Sequence, residues 1–573
     1  MKKHLYIIIV LSVVLTILFQ LNLTKAIIFD NYLNTDDIVS GRGDRSYYLM
    51  LVNESGKGNW ELGSPFFKEW AHSLYLYPAL NINAAGFLMW VFDANIKTVF
   101  ILMDYFAVFL LFAFSFVLFL VIFQGDKFGY FVAIGYMFLP RLLSWDRTIS
   151  PQINFIFLLL FLIAYFAASY ERFLWRREMA LGITAGLLFY TYTYHWTFAI
   201  PLLVLSDIWF FIRQRHIYFQ YLYKYIVILF MSPLFLIHMW RLYHLPYYEE
   251  SARRIGALYS RMPAGFYTQA GIIILFILFF VLKKHVFSQK STTTTTTTTN
   301  FNSFEKILVG LIASLVVLNQ QLITGMQLEF NSHYLPVILI FIIALLGGII
   351  FVLMNTMSRF RNIFFGGVVV VLLFLIGQAV YVRANANPFL EQGNYLSQET
   401  MDAFSWFRKN GIRNQVIYAP RELGDKIILL TNNYLYFHEA QELHVIPTAE
   451  LIDRFTYFDF TNEDITNNLP SYQLAVFGQT FNAAREKNNV LGKIKAVLSG
   501  KKFVPETLDS YLAYDYGTMY DKRINPDIND FINTIDRYNV SYMLYSIKDK
   551  NSIYRKIPGK IVFENNEYLI KER

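Results

Sequence analysis

Cysteine is absent from the chain, which excludes a disulfide framework and any thiolate metal site. Charge is scarce as well. Asp, Glu, Lys and Arg make up 16% of the residues, against about 25% in soluble globular domains, so a wholly soluble fold is excluded. The phosphate-cradling GxxxxGK[ST] loop, a GxGxxG turn after a strand and the HExxH zinc motif are all missing. Their absence removes the sequence basis for nucleotide hydrolysis or a soluble nucleotide-sugar site. No internal repeat is found, and charge gathers at loop ends rather than at mid-membrane, unlike the pattern of many transporters.

Apolar residues are abundant: 55% of the 573 residues are hydrophobic and 18% aromatic, with 55 Phe and 40 Tyr. The net charge of +8 comes mostly from basic residues at the ends of apolar runs, so a membrane accounts for it without nucleic acid. Lys2 and Lys3 precede LYIIIVLSVVLTILFQLNL, a run of bilayer-spanning length. A secretory signal is the rival reading, but Leu21 to Phe29 stays bulky where small residues would precede a cleavage point. An uncleaved first span with its N-terminus in the cytoplasm is expected. Spans then follow from Val99 to Phe123, Tyr130 to Leu143, Ile153 to Ser169, Ala180 to Trp196, Phe198 to Ile212 and Tyr225 to Trp240. Phe266 to Leu282, Ile307 to Ile323, Tyr334 to Met354 and Phe364 to Val382 bring the total to about eleven crossings. Inward crossings end near Lys or Arg, such as Lys127, Arg172, Arg176 and Lys283, as the positive-inside rule requires. The threonine tract from Ser291 to Thr299 reads as an inner linker.

Between the first two spans lies a long outer loop, residues 24–98. From Asp30 to Pro78 it reads DNYLNTDDIVSGRGDRSYYLMLVNESGKGNWELGSPFFKEWAHSLYLYP. Long ordered loops are disproportionately functional, and this one is read as the active-site loop of a membrane enzyme. Its last part, Leu74 to Phe92, is read as a helix lying on the membrane, interrupted by Asn81, Asn83 and Gly86. Sugar transfer at a membrane surface needs a carboxylate to accept the acceptor hydroxyl's proton or to hold a divalent metal. Asp44 is the first candidate because GDRSYYLMLV opens an apparent helix at the membrane boundary, with Asp36 and Asp37 as alternates. The competing reading is that these acids cap helices or face solvent.

Further candidates sit in other outer loops. Asp146 and Arg147 in LLSWDRTISPQ precede a helix mouth, with Pro151 suited to the helix start; a salt bridge or cap is the alternative role. The loop RLYHLPYYEESARRIGALYSRMPAG from Arg241 to Gly265 runs against the charge asymmetry expected outside. Arginine binds phosphate through paired planar hydrogen bonds, so Arg253 and Arg254 are candidates for holding a lipid-linked phosphate. Pairing with Glu249 and Glu250, or contact with headgroups, is the bland alternative. Tyr190, Tyr192, Tyr194, His195 and Trp196 in LLFYTYTYHWTF read most simply as an interfacial aromatic belt, with His195 as ligand or base the minority reading. Asn319, Gln320, Gln321 and Thr324, with Glu329 and His333 just beyond, imply helix–helix hydrogen bonds or the lining of a polar cavity.

After Val382 charge becomes frequent, and about 190 residues remain, enough for one soluble domain. Gln398 to Lys409 is predicted helical, with Ser397 as N-cap and Gly411 as stop. Gln415 to Ala419, Val540 to Ile547 and Lys560 to Phe563 read as strands, and the helix around Ile528, Phe531, Ile532 and Ile535 precedes the second of them. Helix and strand alternate, so residues 383–573 are expected to form an outer α/β domain on a membrane domain of residues 1–382.

One span, a long outer loop with early acids, a string of spans with short loops and an outer C-terminal domain together resemble the GT-C superfamily of polyprenyl-phosphate-dependent glycosyltransferases. That superfamily includes protein mannosyltransferases and oligosaccharyltransferase catalytic subunits. DRSYY, Asp44 to Tyr48, sits where many members carry an acidic pair followed by Tyr; the second acid is Arg45 here. The resemblance implies a catalytic or metal-binding role for Asp44 and places the second-loop acid of some members at Asp146. LLFYTYTYHWTF and LNQQLITGMQLEFNSHY are also similar to stretches of uncharacterised bacterial multi-span proteins.

The expectation is therefore a polytopic α-helical membrane protein of GT-C-like architecture with a C-terminal extracytoplasmic α/β domain, resident in the plasma membrane. Its expected activity is transfer of a sugar from a polyprenyl-phosphate carrier to a glycan, lipid or protein acceptor, with Asp44, Asp36, Asp37 and Asp146 catalytic. Arg253, Arg254, Arg147, Tyr48 and His333 are the expected binding residues, and Asp44 and Asp146 the ligands of a divalent metal, Mg or Mn, if one takes part. A polymerase or ligase of lipid-linked glycans, relying on the arginines, is the second reading. A non-catalytic transporter or scaffold is the third.

Overall fold

The computed structural model describes residues 2–29, 44–139, 148–167, 174–214, 219–254, 258–259, 266–282, 297–324, 326–327, 331–356, 361–385, 396–438, 444–458, 489, 492–493, 495–505, 527–547 and 557–573. Their apolar side chains gather into two large cores.

The first core is a helical bundle. Ile96–Ile122 runs through its middle, burying Phe112, Phe116 and Phe119 against Tyr136, Leu159, Leu202 and Phe341. The helices around it turn large apolar side chains outward, among them Val10 and Val13 on Lys2–Phe19, Phe230 on Tyr223–Met231 and Phe374 on Arg361–Asn385. Such apolar faces all round a bundle suit a lipid solvent. Among the described residues, Ile96–Ile122, Thr193–Arg213, Leu335–Asn355 and Arg361–Val382 are long and apolar enough to cross a membrane. The pair Phe219–Met231 and Pro233–Tyr243, bent by 47° where Pro233 opens the second helix, makes a fifth if it is one span.

Of the about eleven spans expected, several run into residues outside the described ones. Phe128–Met137 and Pro151–Ala167 are apolar but shorter, and the ends assigned to those spans fall within 140–147 and 168–173, outside the described residues. The turn expected at Trp196 to Phe198 lies at 189–192 instead, between Leu174–Leu188 and Thr193–Gln214. Tyr190 anchors that turn through its hydroxyl, which donates to the Met231 carbonyl, and its own carbonyl accepts from Leu80 N.

Within Leu74 to Phe92, expected to be helical, the helix runs over Leu80–Phe92, with Phe87, Leu88, Trp90 and Phe92 exposed. Its polar interruptions are its packing face. Asn83 accepts a hydrogen bond from Ser55 at 3.0 Å, and a Cβ on Gly86 would sit 2.3 Å from the Ser55 hydroxyl. Only glycine permits that approach to the helix Asp44–Gly56. Asp93, with φ of 45°, ends the helix, and Asn95 caps the next by accepting from Thr98 N.

The second core belongs to the tail and the first loop together. Two short strands, β1 (Leu258–Tyr259) and β2 (Met326–Gln327), pair antiparallel beside the bundle. The tail carries β3 (Val416–Tyr418), β4 (Tyr434–Leu435), β5 (Val540–Ser546), β6 (Lys560–Glu564) and β7 (Tyr568–Glu572) in one sheet ordered β4-β3-β5-β7-β6. β3 is parallel to β4 and β5, and β7 is antiparallel to β5 and β6. Gln398–Lys409 forms as its pattern requires, with Ser397 accepting from Thr400 N and Gly411 at φ of 66°. The core beneath this sheet is shared: Tyr47, Phe66, Phe67 and Tyr75 of the first loop pack with Phe404, Ile417, Ile452 and Phe531 of the tail. Leu435 N donates to the Phe66 carbonyl at 2.7 Å, which lays the loop beside β4.

Candidate functional site

Asp44 is the first residue of the helix Asp44–Gly56. Tyr48 is half-buried on the same helix, edge-on to Tyr47 at 5.5 Å. Arg253 and Arg254 close the helix Tyr248–Arg254, and His333 lies in the single turn Asn331–Tyr334. Asp36, Asp37, Asp146 and Arg147 lie outside the described residues.

Two of the elements that carry or adjoin these residues pack together at the bundle. The π-helical turn Thr148–Ile153, which follows directly on Arg147 and holds Pro151, packs against Asp44–Gly56, Leu80–Phe92 and Ile96–Ile122. Such turns recur at functional sites. Ile153 at its end touches both cores. β1, four residues beyond Arg254, pairs with β2, six residues before His333.

A buried polar network adjoins the bundle core. Asn81 Nδ2 donates to Asn154 Oδ1 at 2.7 Å, and His195 is hydrogen-bonded to the Asn154 backbone. His333 is hydrogen-bonded to the Tyr192 hydroxyl and stacked on Tyr194 at 4.7 Å, while the Tyr334 and Thr197 hydroxyls meet at 2.8 Å. Tyr194 and His195 are buried, so LLFYTYTYHWTF is not the interfacial belt its composition suggested. Tyr192, His195 and Thr197 turn inward because His333, Asn154 and Tyr334 supply polar partners that lipid lacks. His195 Nδ1 has no hydrogen-bond partner among the described residues. Asn319, by contrast, accepts from Gln269 at 3.0 Å, the plain helix–helix hydrogen bond weighed for that segment.

The loop and the tail are joined by a second polar set. Arg454 is fully buried between the rings of Phe67 and Tyr538, 4.0 and 3.8 Å from their centroids, and donates to Glu69, Glu450 and the Tyr436 carbonyl. Trp70 Nε1 donates to Glu450 Oε2 at 3.0 Å. Arg241 pairs with Glu61 at 2.8 Å, and Glu250 accepts from Thr448 N at the start of Thr448–Thr456, where an anion suits the helix end. The segment from Arg241 to Glu250 is thus fastened to both the first loop and the tail.

In the first turn of Asp44–Gly56, Tyr47 is hydrogen-bonded to His444 at 3.1 Å, and burial, with Tyr75 beside it, pushes its hydroxyl well above the usual range. Asp425 accepts from His438 at 2.5 Å and from Ser46. Burial alone would push the Asp425 carboxyl up, but His438, with Ser46 and Lys426, outweighs this and holds it below the usual carboxylate value. Asp425, His438, His444 and Asn154 were not singled out from the sequence. Their partners are distant in the chain, and nothing in their local spacing marks them. Among the described residues no group of three His, Asp or Glu side chains forms a metal-ligand set.

No protein-family description matches the chain, and no curated protein matches it in sequence. Among solved structures, ArnT from Cupriavidus metallidurans bound to undecaprenyl phosphate aligns over 98% of this chain and 97% of its own, at 11% identity and a TM-score of 0.44.

Proposed function

We propose that the protein is an integral-membrane glycosyltransferase that moves a sugar from a polyprenyl-phosphate carrier to an acceptor outside the cytoplasm. The observation that supports the reading is the packing of the helix that begins at Asp44 against the turn that follows Arg147 at the apolar bundle, with β1, four residues after Arg254, paired to β2, six residues before His333. A lipid carrier reaches such a place from the bilayer, and a polar acceptor reaches it from solvent.

In the proposed reaction Asp44 takes the proton of the acceptor hydroxyl as its oxygen bonds to the anomeric carbon. The bond from that carbon to the phosphate oxygen breaks, and polyprenyl phosphate leaves with the electron pair. Arg253 and Arg254 hold the departing phosphate, where paired hydrogen bonds match its oxygens. Asp36 and Asp37 are alternates for the base. Asp146 and Arg147 support the site, and Tyr48 and His333 line it for the substrates. If a divalent ion such as Mg or Mn takes part, Asp44 and Asp146 are its proposed ligands, and it would neutralise phosphate charge. The N-terminus is assigned to the cytoplasm and the tail to the outer face of the plasma membrane.

The test is release of polyprenyl phosphate from a panel of polyprenyl-phosphate sugars by the purified protein in nanodiscs, with acceptor glycans, lipids and peptides supplied. Asp44→Asn is expected to lower release by about 100-fold or more, the scale of one general-base contribution. Wild-type rates in that variant remove Asp44 from the mechanism. A larger loss in Arg253→Ala than in Asp44→Ala favours a polymerase or ligase of lipid-linked glycans, and no release with any donor favours a transporter or scaffold.

A further inference from the structure

The tail grips the first-loop helix at its opening turn. Asp425, in the first turn of Gly424–Thr431, accepts hydrogen bonds from His438 Nε2 at 2.5 Å and from the Ser46 hydroxyl. His438 lies flat on Phe66, with centroids 4.2 Å apart, and covers Gly424 so closely that a Cβ there would meet its ring at 3.2 Å. Next to Ser46, Tyr47 is held by His444 at 3.1 Å. Ser46 and Tyr47 share one helical turn with Asp44, and a turn rises only about 5.4 Å. Fixing them therefore fixes the backbone that bears Asp44. The bond from His438 to the ionised carboxylate is charge-assisted and roughly twice as strong as a neutral one. The negative charge also faces the positive end of the helix it holds.

We infer that Asp425 and His438 are positioning residues that lock the first turn of Asp44–Gly56, and so the backbone that bears Asp44, from the tail. The inference rests on the reading of Asp44 as the base. Misplacing a reacting group by about 1 Å costs on the order of 100-fold, so a pair that fixes this turn acts on turnover rather than on donor affinity.

The experiment measures hydrogen exchange and transfer kinetics on the full chain in nanodiscs for Asp425→Asn, Asp425→Glu and His438→Gln. Asp425→Asn and His438→Gln are expected to speed amide exchange in residues 48–52 by about tenfold, the effect of one lost hydrogen bond to a charged group. Protection across Gln398–Lys409 stays as in the wild type, kcat falls by a similar factor at unchanged donor KM, and Asp425→Glu recovers part of both. Unchanged exchange in residues 48–52 overturns the inference whether or not transfer is seen. Lost protection across Gln398–Lys409 also overturns it, because the role is then general stability. Faster exchange with wild-type kcat, in a protein that Asp44→Asn inactivates, overturns it too. If Asp44→Asn leaves transfer intact, the functional reading fails by itself, and exchange alone decides whether the tail holds the helix.

Discussion

Replacing Arg454 is expected to separate the first loop from the tail. The guanidinium is fully buried between Phe67 and Tyr538 and donates to Glu450 Oε1 from Nε and Nη2 at 3.0 and 2.8 Å. It also reaches Glu69 Oε2 at 2.9 Å and the Tyr436 carbonyl at 3.0 Å. Arg454→Met keeps much of the volume but strands two carboxylates and a carbonyl. Removing one partner of a buried pair costs about 3–5 kcal/mol. Glu69 and Glu450 keep 33% and 17% of their side-chain surface, so the lower end applies, about 3 kcal/mol. Arg454→Lys keeps the charge but not the planar fork that reaches three acceptors between two rings, and about 2 kcal/mol is expected. The chain has no cysteine, so Ser64→Cys, at a fully buried first-loop position, gives a single thiol that reports opening of the joint. In that background Arg454→Met should raise the thiol-labelling rate by roughly 100-fold, following about 1.4 kcal/mol per decade. Adding Glu69→Gln should recover part of it, since contacting residues couple by about 0.5–3 kcal/mol. A change under about threefold, below 1 kcal/mol, refutes the idea that this one side chain ties the loop to the tail.

Three further outcomes are expected. Asn81→Leu removes the donor to Asn154 inside the bundle, and thermal unfolding in detergent should register a loss of about 1–3 kcal/mol, smaller when Asn154→Leu is added. Elsewhere in the bundle, Lys224 bridges Glu178 at 2.9 Å and Asp207 at 2.8 Å; Lys224→Met should cost about 3 kcal/mol, with Glu178→Gln restoring part of the folded yield. Asp425 ionises more readily in the folded chain than in the unfolded one because His438, Ser46 and Lys426 outweigh its burial. Its contribution is therefore full above about pH 4 and lost as pH falls through the lower folded value. Exchange of residues 48–52, corrected for its intrinsic pH dependence, should rise over that window in the wild type and stay flat in Asp425→Asn.

Local rules made much of the tail legible. Ser397 and Gly411 end a helix by hydrogen bonding and by a left-handed backbone, both decided within a few residues, and the helix Ile528–Arg537 and the strands β3, β5 and β6 follow their apolar periods. β4, only two residues long, has no period to read. It exists because Val416 and the Phe66 carbonyl present it with partners. The aromatic runs were misleading for a related reason. Tyr and Phe suit a lipid headgroup layer and a protein interior equally, so LLFYTYTYHWTF carries no sign of which it enters until Asn154, His333 and Tyr334 are seen beside it.

The first loop shows the same ambiguity at larger scale. Its acids and its length marked it as functional, but Phe66 and Phe67 are as apolar as any residue of the spans around them. What sends them into the tail rather than the bilayer is Arg454. A buried cation is tolerable only where carboxylates and ring faces surround it, and Glu69 and Phe67 come from the loop while Glu450 and Tyr538 come from the tail. Neither segment satisfies that guanidinium alone, so the joint forms as a unit. The helix that begins at Asp44 is therefore held between Ile96–Ile122 of the bundle and the tail helix Gly424–Thr431.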